Sequence, residues 1–315
     1  FAVAMELYFL NPANYERWMP AAYERPEPWG GRELSDERWR YALAVVLVGL
    51  LKAKGKGSVR GECAGRWWLA ISGLAAGLAV ATKVAHVVVV LPFLFWAVAL
   101  GWQRSRQRGL VVHALCWSFF FSIWIGAIAG YNWSRFASVF ETGYGREAGN
   151  FTTPLAVGLS GLLASPAKGV LWYCPVLVLA MLGWPAFWRR DRACALAIVA
   201  ASVLWLLLIS RYYQWFGGGA WGPRFLVPLL PLWILPAAEI FARWRRGSGW
   251  RVAIVVAVAI SLGAAMTPLL VPFDQTGGLL AKRGEVSAET WNVAGSHLLV
   301  SLARLPRAVA VTTAK

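Results

Sequence analysis

The sequence predicts an all-α fold: a polytopic transmembrane helix bundle with about seven clear spans plus short interfacial helices. Three observations carry this. Apolar residues gather in runs of 16 to 23, long enough to cross roughly 30 Å of hydrocarbon at about 1.5 Å per residue. Of the 315 residues, 58% are hydrophobic and only 15% charged, with a mean hydropathy of +0.53, where an ordinary soluble domain carries about 25% charge. The basic residues crowd into alternate connections between the runs, the pattern of a chain threaded back and forth through a bilayer.

Residues 1–51 form a polar amino-terminal segment with a partial apolar helix. Its first 38 residues hold Glu6, Glu16, Glu24, Glu27, Glu33, Asp36 and Glu37, with Pro20, Pro26, Pro28, Gly30 and Gly31 as breakers, so little regular structure is expected there. The apolar run 41–51 is too short to cross unless its beginning is irregular. Residues 52–272 form the bundle, with spans at 67–82, 84–102, 111–133, 169–187, 193–210, 224–242 and 250–272. The run 155–163 is short and reads as an interfacial or re-entrant piece. Trp67, Trp68, Trp102, Trp133, Trp184, Trp188 and Trp250 stand at span ends, where an amphipathic ring sits at headgroup level. Pro228, Pro231 and Pro236 are expected to bend the span 224–242, since each lacks a donor for the helical ladder. Residues 273–315 form an external tail, in which 296–311, with Arg304 and Arg307, is weakly amphipathic and suited to the membrane surface.

The net charge of +16 would point to nucleic acid in a soluble protein; here it is mainly a topology signal, and no nucleic-acid partner is expected. The connections 52–66, 102–109, 188–192 and 243–251 hold fifteen Lys/Arg, and the opposite ones only Lys83, Arg135, Arg146, Lys168, Arg211 and Arg224. The first set is therefore cytoplasmic. Cys63, Cys116, Cys174 and Cys194 show no C-x-x-C pairing, and His86, His113 and His297 have no metal-ligand spacing, so no disulfide framework or zinc site is expected. Phe1 opens the chain without a basic leader, and the sequence reads as amino-terminally incomplete.

The informative polar residues lie in the outer connections. One carries Arg135 and then Glu141 and Tyr144; another carries Lys168; a third runs from Arg211 through Tyr213, Trp215, Gly218 and Trp221 to Arg224. Glycine lets backbone approach a ligand closely, and Lys or Arg at headgroup depth pairs with phosphate where water is scarce. An anionic lipid head is the natural guest. The competing reading is that Lys83, Lys168, Arg211 and Arg224 merely extend from span ends toward water. Arg224, between Pro223 and an apolar segment and beside three glycines, is the least ordinary of them. Glu141 is the outer carboxylate that opens the Gly/Tyr loop, a candidate general base or metal ligand.

These loops resemble those of the bacterial GT-C superfamily, integral-membrane glycosyltransferases of the mannosyltransferase and lipid A aminoarabinose-transferase type. The resemblance runs from about Trp67 to Phe273 and rests on GLAAGLAVATK at 73–83, ETGYG at 141–145, SPAKG at 165–169 and GGGAWGPRF at 217–225. It implies a sugar moved from a polyprenyl-phosphate donor to a glycan, lipid or protein acceptor at the external, periplasmic face of a bacterial inner membrane. Glu141 would then be the catalytic acid-base group, and Lys168, Arg211 and Arg224 the donor-phosphate ligands. Arg135, Tyr144, Tyr213, Trp215, Gly218 and Trp221 would contact substrate. No cofactor is firmly implied, and a divalent cation remains open. In that family an acidic external loop precedes the first clear spans; the corresponding stretch here is polar, and Glu6, Asp36 or Glu37 cannot be matched to it. Two other readings compete: a flippase for a lipid-linked glycan, and a non-catalytic membrane subunit. Transport places ionisable groups near the bilayer midplane and often uses repeated broken helices; neither pattern is evident in the sequence.

Overall fold

The computed structural model describes residues 42–54, 59–140, 149–217, 222–242 and 248–270, with isolated positions between 291 and 303. The polar segment 1–41, most of the tail 273–315, and the site candidates Glu141, Tyr144, Gly218 and Trp221 lie outside the described residues. Within them the fold is helical, without a strand: α1 (Ala42–Ala53), α2 (Val59–Thr82), α3 (Val87–Phe136), α4 (Leu155–Ala164), α5 (Val170–Tyr173), α6 (Val176–Arg190), α7 (Arg192–Arg211), α8 (Leu230–Ile234), α9 (Ala237–Phe241) and α10 (Ser248–Leu270), with 3-10 turns at Val84–His86 and Arg224–Leu229.

Four segments are long and apolar enough to cross a membrane: Val84–Gln103, Gln107–Phe136, Arg192–Arg211 and Gly249–Thr267. Their outward faces carry large apolar side chains, among them Phe95, Leu115, Phe119, Ile123, Val252 and Leu262, each more than 45% exposed. Such a surface is untenable in water and natural against lipid. The chain is accordingly a membrane protein.

Two of those segments belong to one hydrogen-bonded helix, α3, which nonetheless doubles back. Residues 101 and 109 of a straight helix would stand about 12 Å apart. Instead a Cβ added to Gly101 would collide with the carbonyl oxygen of Gly109 and lie 2.9 Å from the Cβ of His113. The two limbs of α3 therefore lie side by side, and glycine at 101 permits the close return.

Small residues set the packing of α1 and α2 against the second limb. A Cβ on Gly49 would meet Ser72 and the Trp68 carbonyl at 2.8 Å, and one on Gly77 would lie 3.1 Å from Trp124. Where the three helices meet, the Ser72 hydroxyl donates to the Val46 carbonyl at 3.0 Å and accepts the Trp117 indole N–H at 3.1 Å. One buried hydroxyl thus links α1, α2 and α3, and the two polar groups of a dry interior satisfy each other.

The remaining spans expected from the sequence take a different local form. The run 67–82 is the apolar part of α2, diluted by Ser72, Gly73 and Gly77. The run 169–187 is broken at Cys174, whose backbone is non-helical (φ −138°, ψ 65°) because the ring of Pro175 disfavours helix before it. The run 224–242 is divided into a 3-10 turn, α8 and α9 around Pro228, Pro231 and Pro236, the bending that these prolines were expected to impose. The short run 155–163 is α4, ten residues long.

Contacts sort the connections into two ends. At one end Lys54 pairs with Asp191 at 2.7 Å, and Arg190 with Glu239 at 2.8 Å. Asp191 also caps α7 by accepting the Cys194 N–H at 3.2 Å. At the other end the turn after α2, the loop before α4, the turn after it, and the segments flanking Gly217 and Gly222 converge. Lys54 and Arg190, from two of the basic connections, thus lie at one end, and Lys83, Lys168, Arg211 and Arg224, from the outer ones, at the other.

Candidate functional site

The second end is assembled around the carboxyl terminus of α7. The Thr153 N–H donates to the Arg211 carbonyl and the Thr153 hydroxyl to the Tyr212 carbonyl, both at 3.1 Å, while the Tyr213 N–H donates to the Asn150 carbonyl at 3.0 Å. The two Thr153 bonds satisfy carbonyls that the end of a helix leaves open. The loop before α4 is thereby fastened to the Arg211–Tyr213 backbone. Two glycines then bring α4 itself into contact: an added Cβ on Gly158 would strike the Ser210 carbonyl, and one on Gly161 the ring of Trp215. Trp215 is buried as a result.

Gly217 (φ +78°) and Gly222 (φ +57°) take left-handed conformations that suit glycine. A Cβ on Gly217 would stand 3.4 Å from the Cβ of Arg224, and one on Gly222 would press the Tyr173 ring at 2.9 Å. Tyr173 donates its hydroxyl to the Ala167 carbonyl at 2.7 Å. The turn holding Lys168 and the segment holding Arg224 are thereby joined through Tyr173 and Gly222.

Lys168 itself is buried in a tight turn, its backbone N–H donating to the Ser165 hydroxyl at 3.1 Å. Burial pushes its amine down to about 7, because a dry setting disfavours the ammonium. From the tail, Ser296 donates to the Pro166 carbonyl of the same turn at 2.8 Å.

A cation that the sequence places only at a span end, Lys83, also belongs to this end, where it is half-buried. The Nζ of Lys83 stands 4.2 Å over the Phe225 ring, within reach of a cation–π interaction. Phe225 also meets Tyr212 edge to face at 6.2 Å, and its carbonyl accepts the Trp205 indole N–H at 2.7 Å. His86 lies below, its Nδ1 at 2.8 Å from the Ala79 carbonyl and its ring 5.0 Å from that of Trp205. The signal for Lys83 was its place at the end of GLAAGLAVATK, directly after a helix.

Among the cations expected at the site, Arg224 is half-buried beside Phe225 and Gly217, and Arg211 is exposed at the end of α7. Tyr213 is half-buried against Tyr212, ring centroids 4.9 Å apart. Arg135 is held differently: it donates to the Tyr131 hydroxyl at 2.6 Å and lies over the Tyr131 and Phe136 rings of its own helix. Among the described residues, no three His, Cys, Asp or Glu side chains gather as a metal site would require.

The fold and this end define the class: an all-helical membrane protein with a cationic and aromatic cluster at one end of its bundle. No protein family, curated protein or solved structure matches the chain.

Proposed function

We propose that the chain is a membrane glycosyltransferase of GT-C type, moving a sugar from a polyprenyl-phosphate donor to an acceptor at the external face of a bacterial inner membrane. In this reading the chain crosses about seven times, with the broken segments around Cys174 and Pro228 to Pro236 completing crossings that unbroken helices make elsewhere. The observation that supports it most is the convergence of Lys83, Arg224 and the ring of Phe225, with Lys168 and Arg211 on adjoining turns. Clustered cations in a partly dry setting suit a lipid-linked phosphate that gains charge as the sugar departs.

The reaction is an in-line displacement. The acceptor hydroxyl attacks the anomeric carbon, the bond from that carbon to the phosphate oxygen breaks, and the acceptor proton passes to a carboxylate, for which Glu141 is the candidate. The cations hold the phosphate that leaves.

The test is transfer from a pool of polyprenyl-phosphate sugars in membranes containing the chain, alongside Lys83→Ala, Arg224→Ala and Glu141→Gln. Loss in the two cation variants at unchanged expression supports the donor site. Transfer that survives both removes it, and accumulation of the lipid-linked sugar on the opposite face without transfer favours a flippase.

A further inference from the structure

Away from that end, an apolar trough of about 510 Å³ runs between the first limb of α3 and α7. One wall is the ridge Leu91, Phe95 and Ala99; the other is Leu196, Ala200 and Leu204. Each is spaced by four, so each follows one helix face. Ala197 lies buried at its base, and Phe95 and Leu196, 70% and 54% exposed, leave the slot open sideways to lipid. Trp96 also lines it, with its buried indole N–H unpaired among the described residues.

Both ridges end in polar residues at the same mouth. One step of four beyond Ala99 is Gln103, and one step before Leu196 is Arg192; both are exposed. Arg192 opens α7; the neighbouring Asp191 carboxylate is engaged in capping that helix and in its pair with Lys54, so the guanidinium sets the sign of charge at this mouth. From the level of Ala193 to Leu204 the slot runs about 17 Å, close to one leaflet of a hydrocarbon core roughly 30 Å thick. Its mouth lies at the bundle end marked by Lys54 and Asp191.

We infer that this slot holds one acyl chain of an anionic phospholipid from the leaflet at that end, with the phosphate on Arg192 and the glycerol region beside Gln103. The length of the slot selects a single-leaflet chain, its lining excludes polar groups, and the guanidinium at its mouth selects a negative head. This site is separate from the donor site and does not depend on it.

The full chain is purified in detergent, exchanged into micelles spiked with phosphatidylglycerol or phosphatidylcholine, and the retained lipid is counted by native mass spectrometry. The expected result is several-fold higher retention of phosphatidylglycerol. Arg192→Gln levels the two lipids, and Ala200→Phe, which fills an exposed part of the slot, lowers both. Lys52→Gln, a basic change at the same end on α1, leaves the preference intact. Equal retention in the unmodified chain, an Arg192→Gln variant that keeps the preference, or a dimer that Ala200→Phe converts to monomer each overturns the assignment.

Discussion

The ammonium of Lys83 rests 4.2 Å above the ring of Phe225, which ties the turn after α2 to the segment that opens with Arg224. A cation–π contact at a partly exposed position contributes about 0.5–1 kcal/mol. Lys83→Met should therefore cost little stability, within about 1 kcal/mol, yet sharply lower transfer from a polyprenyl-phosphate donor. Lys83→Arg should retain much of the transfer. Thermal unfolding in detergent beside a transfer assay separates the two effects.

Trp205 holds the other side of Phe225 through its 2.7 Å bond to the carbonyl. Trp205→Phe keeps the ring but removes the donor, leaving a carbonyl short of a partner in a dry interior. The expected loss is about 1–3 kcal/mol, read as a lower unfolding midpoint, together with weaker donor binding because Phe225 is no longer fixed.

Gly158 touches the Ser210 carbonyl, and the obstacle to any side chain there is backbone rather than a movable side chain. Gly158→Ala should push α4 from α7 and cost about 1–3 kcal/mol, the usual penalty of overpacking. Gly130→Ala is the control, because nothing stands within 4 Å of the added methyl. Unfolding midpoints of the two variants should differ clearly, with the Gly130 variant at or above the unmodified chain.

Burial lowers the Lys168 amine to about 7. An unfolded chain keeps that lysine protonated up to about 10.4, so between the two values the unfolded state binds more protons and stability rises with pH. Below about 7 the penalty for a buried ammonium is present in full. Lys168→Met should flatten this rise, measured as unfolding midpoints from pH 6 to 9. A phosphate that needs the charged amine should bind more weakly as pH rises through 7.

The two bundle ends make a topological prediction. Single cysteines at Arg108 and Arg189 should react with an impermeant thiol reagent from one side of the membrane, and those at Arg135 and Arg211 from the other, in a background cleared of native cysteines. Labelling of all four from one side would refute the seven-crossing arrangement.

Helical class, membrane setting and the division into two charged ends were legible in the sequence, because hydropathy and charge act over the length of one span and add up along it. The breaks from Pro228 to Pro236 were legible in the same local way, through a missing donor, whereas Pro175 divides a run that reads from hydropathy as one unbroken span. Three features needed the tertiary structure. The return between the runs 84–102 and 111–133 was expected from the basic connection between them, but the close contact of Gly101 with Gly109 that sets the spacing of the two limbs was not. Arg135 and Lys83 look alike as span-end cations, yet one lies against its own helix and the other against Phe225 across the bundle. Lys168, expected at an accessible interface, is enclosed by its own turn and its neighbours. A side chain's partners come from chain segments far apart in sequence, and packing alone determines which of several similar charges is covered, paired or left to meet a ligand.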